Sequence, residues 1–200
     1  MTDIVFAKAL GGSKLKTIAQ GAFRKTQLRT VQIPASVETI GKEAFSEVTN
    51  ADASFTVTFE SGSVLTSIGE KAFYNSSLTS IEIPASTYTL GRSVFEETKK
   101  LREVIFAKGS QVGVIPVKAF FNSGLSGELK LPTVLTQIGE AAFQGAKIST
   151  IDIFSTVTRI EERAFANWGS NQKIYLPFSR TEADMRWGTA WYRDSNASVY

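Results

Sequence analysis

The chain has no cysteine and no histidine among its 200 residues. Those absences remove thiolate- and imidazole-ligated zinc and every Ser-His-Asp or Cys-His nucleophile. No remaining side chain titrates near neutral pH without a large environmental shift. Without cysteine there is no disulfide framework, and redox compartment stays open. Five Pro and fifteen Gly are too few for a flexible linker or a collagen-like segment. No apolar run reaches the roughly 18 residues of a membrane-spanning helix. Residues 1–15 lack the charged start and long apolar stretch of a signal peptide. The formal net charge is only +3. The early cluster Lys8, Lys14, Lys16, Arg24, Lys25 and Arg29 reads as a solvated basic end. It lacks the interleaved aromatics or motif that would mark a nucleic-acid site.

What is present is repetition. Fourteen Phe stand against two Met, which implies one aromatic position used again and again. The pattern Ile/Leu-x-x-x-Ala/Val-Phe recurs seven times and closes on Phe23, Phe45, Phe73, Phe95, Phe120, Phe143 and Phe165. The spacings are 22, 28, 22, 25, 23 and 22 residues. Between these motifs sit apolar pairs with period two, such as Val31/Ile33-Pro34, Ile81/Ile83-Pro84 and Ile174/Leu176-Pro177. Period two over a few residues predicts a short strand with one buried face. The trailing Pro has no N–H to continue the ladder. After the Ile of each motif stands Gly, Ala19, Pro116 or Glu161. Pro fixes φ near −65°, so this position is expected to open a helical turn rather than adopt positive φ. A repeat of this size cannot bury its apolar face alone, whereas stacked repeats can.

The fold expected is therefore an α/β repeat solenoid of leucine-rich-repeat character. It has one continuous parallel sheet of about eight short strands, with short helical turns on the other side. Residues 1–177 form the seven-repeat solenoid and 178–200 a C-terminal cap. The chain opens directly on a strand around Ile4 and Phe6. That predicts a bare apolar first turn, as in a fragment of a longer array, or a first repeat that frays or self-associates.

The stretch Leu28 to Phe45, LRTVQIPASVETIGKEAF, and residues 78–95, LTSIEIPASTYTLGRSVF, resemble the BspA-like (TpLRR-type) leucine-rich repeat. The resemblance extends over about 4–177, and the tail is similar to segments that close such arrays. The family often carries Cys or Asn three residues after the Phe. Here Thr26, Ser76, Thr98, Ser123 and Ala146 stand there, and no cysteine ladder exists. The resemblance implies a secreted or cell-surface protein whose relatives include adhesins for host matrix proteins or cells.

Two surfaces are candidates for binding. Residues alternating with the buried pairs point outward, giving the column Val5, Gln32, Thr58, Glu82, Ile105, Lys130, Asp152 and Tyr175. Thr30, Thr56, Ser80, Glu103, Glu128, Thr150 and Lys173 flank it. The column is either a protein-binding face or a solvated one, with Lys130 and Asp152 available to pair. The aromatic tail, with Trp168, Trp187, Trp191 and Tyr192, is either a cap over the last core layer or a glycan-stacking site. Catalysis is not expected. A glycosidase needs two carboxylates facing across roughly 5–9 Å, which the adjacent pairs Glu96/Glu97 and Glu161/Glu162 do not provide. No catalytic residue, metal site or cofactor is expected. Asn75-Ser-Ser and Asn196-Ala-Ser match the glycosylation pattern, which matters only in a eukaryotic secretory route. The reading is a non-catalytic protein-binding or adhesion module, with a structural spacer and a glycan-binding module as alternatives. No nucleic-acid partner and no membrane insertion are expected.

Overall fold

The computed structural model describes residues 15–49 and 54–200 in full and residues 3–5 by their backbone. Each turn of the chain contributes one longer and one shorter strand, numbered here in chain order. The longer ones are β1 (Asp3–Val5), β3 (Thr30–Ile33), β5 (Thr56–Phe59), β7 (Ser80–Ile83), β9 (Glu103–Phe106), β11 (Ser126–Leu129), β13 (Lys147–Asp152) and β15 (Lys173–Tyr175), and the short β16 (Ser198–Val199) extends their face. The two-residue ones are β2 (Thr17–Ile18), β4 (Thr39–Ile40), β6 (Ser67–Ile68), β8 (Thr89–Leu90), β10 (Val114–Ile115), β12 (Gln137–Ile138) and β14 (Arg159–Ile160). The paired strands run parallel. The result is a parallel β-solenoid with a long-strand face, a short-strand face and a side of turns.

The strand positions follow the period-two pairs. Val31, Ile33, Val57, Ile81, Ile83 and Val104 are buried, and their alternates are open to solvent. The strand expected at Ile4 forms, pairing Ile4 with Val31. Phe6 and the side chains of residues 1–14 lie outside the described residues, and so do the expectations resting on them.

The helical turns expected around each Phe do not form. The segment is a string of overlapping β-turns: Ala72 N–H donates to Gly69 O at 3.2 Å, Tyr74 N–H to Lys71 O at 3.1 Å, and Ser76 N–H to Phe73 O at 3.3 Å. Two residues per repeat sit in the left-handed region, among them Lys71 (φ 55°) and Asn75 (φ 47°), Lys118 (55°) and Asn122 (50°). An interposed left-handed residue breaks a right-handed helix. It also turns the alternate N–H groups towards the next coil. Lys71, Phe73 and Asn75 thus donate to Arg92 O, Val94 O and Glu96 O at 2.8–2.9 Å. Inter-turn hydrogen bonding wins over helix formation on this side. Among the described residues the α-helix is α1 (Arg180–Trp187), with a 3₁₀ turn at Ala190–Tyr192.

The Gly after the Ile has a different reason from the one its sequence context implies. A Cβ on Gly91 would lie 2.3 Å from Glu70 N, and one on Gly69 2.7 Å from Gly41 C. The coils approach too closely there for a side chain. Where Glu161 replaces Gly, its carboxylate accepts the Glu140 N–H at 3.0 Å.

The core is a continuous aromatic column. Successive Phe rings from Phe23 to Phe165 stack at 5.1–5.6 Å with interplanar angles of 2–13°. From Phe45 onward each ring is fully buried, a contribution of about 1.5–3 kcal/mol per ring before entropy. Trp168 and Trp191 meet Phe165 edge-on at 5.0 and 5.9 Å and end the column. The Trp168 indole N–H also donates to Phe143 O at 2.8 Å. The sheet does not stop at residue 177: β16 pairs with β15 and adds a rung from within the tail.

The long-strand ladder is not continuous, contrary to expectation. It divides into β1-β3-β5, β7-β9 and β11-β13-β15-β16. At the first division β5 and β7 share an isolated bridge, Phe55 with Leu78. The longest Phe spacing, 28 residues, falls just before it, where residues after Phe45 are inserted. At the second, Gly127 (φ 72°) sits in a register shift of β11. The short-strand ladder divides between β8 and β10. These divisions never coincide. Where β5 and β7 part, β6 and β8 stay paired. Where β8 and β10 part, β7 and β9 stay paired. Where β9 and β11 part, β10 and β12 stay paired.

Candidate interaction surface

The long-strand face carries the outward column. Gln32 lies opposite Thr58 in the β3–β5 pair, Glu82 opposite Ile105 in β7–β9, and Asp152 opposite Tyr175 in β13–β15. Lys130 follows β11 by one residue, and the Leu129–Ile151 pairing brings it beside Asp152. All seven side chains are exposed. The ladder divisions separate Thr58 from Glu82 and Ile105 from Lys130. The structure therefore gathers the column as three blocks rather than one. Val5 is opposite Gln32 by register, and its side chain is outside the described residues.

Charge is organised differently on the other sides. Along the turns and short strands, cations and anions of successive coils pair: Arg24 with Glu43 at 2.9 Å, Lys42 with Glu70 at 3.2 Å, Arg163 with Asp194 at 2.8 Å, and Lys16 with Glu38. Three of the four acids considered for catalysis, Glu97, Glu161 and Glu162, are engaged there too. Glu97 accepts from Lys99 and Asn122, each at 2.8 Å. Glu161 pairs with Arg159 at 3.0 Å, and Glu162 with Arg193. Burial pushes the Glu97 carboxyl up, but the Lys99 and Asn122 hydrogen bonds and the Lys99 charge outweigh it and hold the group below its ordinary value. Among the described residues of the long-strand face no such pairing occurs. Glu82, Glu103, Glu128, Lys130, Asp152 and Lys173 enter none of the described ion pairs. The pairing expected of Lys130 and Asp152 is thus not made.

A cleft of about 610 Å³ opens on this face where β5 and β7 part. Thr56, Thr58, Ser80, Glu82, Glu103 and Ile105 line it, with Glu60 at one end. Sequence reasoning placed Glu103 beside the column and missed Glu60. Glu60 follows its strand where Pro34 and Pro84 follow theirs, and that substitution is the signal that was available.

The aromatic tail is built inward. Trp191 is fully buried, with Trp187 edge-on at 5.6 Å and Tyr192 at 4.8 Å. Trp187 packs on Phe178 at 5.3 Å, and its indole N–H is buried without a partner. The Arg180 guanidinium covers the Tyr192 ring at 3.5 Å. Of the two readings of the tail, cap or glycan-stacking site at Trp187, Trp191 and Tyr192, the burial of Trp191 against Phe165 accords with the cap.

A parallel β-solenoid of short repeats with an aromatic column and one unpaired polar face defines a repeat protein of the leucine-rich class. The sequence matches the BspA type leucine-rich repeat region over residues 16–127 and 105–185, and the chain belongs to that family. No curated protein matches it in sequence. Among solved structures it is similar to the pneumococcal vaccine antigen PcpA, at 20% identity and a TM-score of 0.66, over 87% of this chain and 54% of that one. It is also similar to the Treponema pallidum leucine-rich repeat protein TpLRR, at 22% identity and a TM-score of 0.55, over 87% of this chain and 68% of that one. The chain spans about half the length of the pneumococcal structure, and these likenesses bear on the fold.

Proposed function

We propose that the chain is a non-catalytic module of a secreted or cell-surface protein that binds a partner protein through its long-strand face. The observation that carries this reading is the contrast in pairing. All the described ion pairs lie off the long-strand face, whereas Glu82, Glu103, Glu128, Lys130, Asp152 and Lys173 on that face enter none and remain available to a partner. Rungs about 4.8 Å apart over nine strands give a face of roughly 38 Å, the dimension of a protein interface rather than a metabolite site. The surface location rests on the family resemblance, and the pneumococcal relative being a vaccine antigen accords with it.

The test is capture of matrix proteins and cell-surface extracts by the wild-type chain and by a Lys130→Glu, Tyr175→Ala double variant. Reduced capture by the variant is the expected result. Undiminished capture places the site off this face, and capture by neither protein makes the chain a spacer.

A further inference from the structure

Three features come together at the cleft between β5 and β7. The ladder is open there, so beyond the Phe55–Leu78 bridge the facing edges of β5 and β7 are not hydrogen-bonded to each other. Unpaired strand edges are templates for an added polypeptide. The charged residues of the lining are all acids, Glu60, Glu82 and Glu103, with no Lys or Arg among the described lining residues. One large apolar side chain, Ile105, is exposed beside them.

The arrangement of the acids decides what they fit. No group of described carboxylates converges closely enough to hold a metal ion. Ser80 faces Glu103 and Glu82 faces Ile105, which puts Glu82 and Glu103 on diagonal corners of one strand pair. Diagonal neighbours in a sheet are about 7–8 Å apart. Alternate side chains of an extended polypeptide recur at about 6.6–6.8 Å. A point cation meets one carboxylate at most, whereas an extended chain with cationic groups at alternate positions meets both.

We infer that this cleft seats an extended segment of the partner protein carrying Lys or Arg at alternate positions. Its cations face Glu82 and Glu103, and its main chain lies over the opened edges of β5 and β7. This inference rests on the reading of the long-strand face as the binding surface and names the chemistry of its occupant.

The experiment titrates the intact chain with a short peptide alternating Lys and Thr, and with an isomer of equal charge whose Lys residues are contiguous. The protein variants are Glu82→Gln with Glu103→Gln and, off this face on the turn side, Arg92→Gln. These change exposed side chains, and unchanged melting confirms folding. The alternating peptide is expected to bind more tightly than its isomer. It should lose about tenfold in affinity with the acid variant and nothing with the Arg92 variant. Equal binding of the two peptides, or undiminished binding by the acid variant, overturns the assignment. If that happens while Lys130→Glu, Tyr175→Ala still weakens capture of a natural partner, only the cleft assignment falls. If no peptide and no extract binds, the binding-face reading falls with it.

Discussion

The two sides of each coil solve different problems with the same spacing. On the turn side, most groups are satisfied internally. Phe rings stack, alternate N–H groups cross to the next coil, and cations meet anions from neighbouring repeats. On the long-strand side, the backbone ladder is interrupted and the charges stand unpaired. Stability is concentrated on one side, which leaves the composition of the other free to vary.

That contrast can be broken most sharply at the column. Phe120→Ala removes a fully buried ring between two stacked neighbours. It should cost about 3–5 kcal/mol, read as a lower denaturant midpoint, with lost hydrogen-exchange protection spreading to the flanking coils. A loss under about 1 kcal/mol would mean that the column does not organise the fold. Next is Gly91→Ala, whose new methyl meets backbone at 2.3 Å. Overpacking of this kind costs about 1–3 kcal/mol, and thermal melting will show it. Ser123→Ala should move the other way. Its hydroxyl is buried without a partner, so removal is expected to be neutral or to stabilise by about 1 kcal/mol.

Two smaller effects sharpen the comparison. Glu97 has its folded pKa lowered from an ordinary value of 4.5. Its contribution is therefore fully present above about that pH and is lost as pH falls through the lowered folded value. Denaturant titrations in this acid range should show a shallower pH dependence for Glu97→Gln than for wild type. Smallest of all is the stability change for Lys130→Glu, Tyr175→Ala, expected within about 0.5 kcal/mol of wild type. A large loss there would mean that the strand face holds the fold together after all.

The column and the buried strand pairs were legible because period two and a fixed Phe spacing report directly on burial. Phe45 through Phe165 and the Val31/Ile33 pair are where the pattern puts them. The turn geometry was not legible. Lys118 and Ala141 are ordinary residues in the left-handed region, held there by hydrogen bonds to the next coil that a single repeat cannot reveal. The Gly that follows Ile40, Ile68, Leu90 and Ile138 was legible as special but not for its cause, since the clash lies with the preceding coil rather than with its own turn. On the candidate face, alternation identified which residues are outward. The division between Thr58 and Glu82 is a matter of backbone pairing between coils, and side-chain pattern carries no information on that. The need to close the column pointed to the tail, and Trp191 is fully buried edge-on to Phe165.

The staggered seams also make the molecule a mechanical element. Tension along the solenoid axis loads the inter-coil hydrogen bonds end to end. On the strand side an isolated bridge holds the junction between β5 and β7, while β6–β8 pairing and the Phe73–Phe95 stack hold it from behind. Such a junction opens like a book on its spine: it yields by bending before it parts. Because no two ladders lapse at the same coil, pulling on the ends flexes the array at the seams and leaves the aromatic column threaded through.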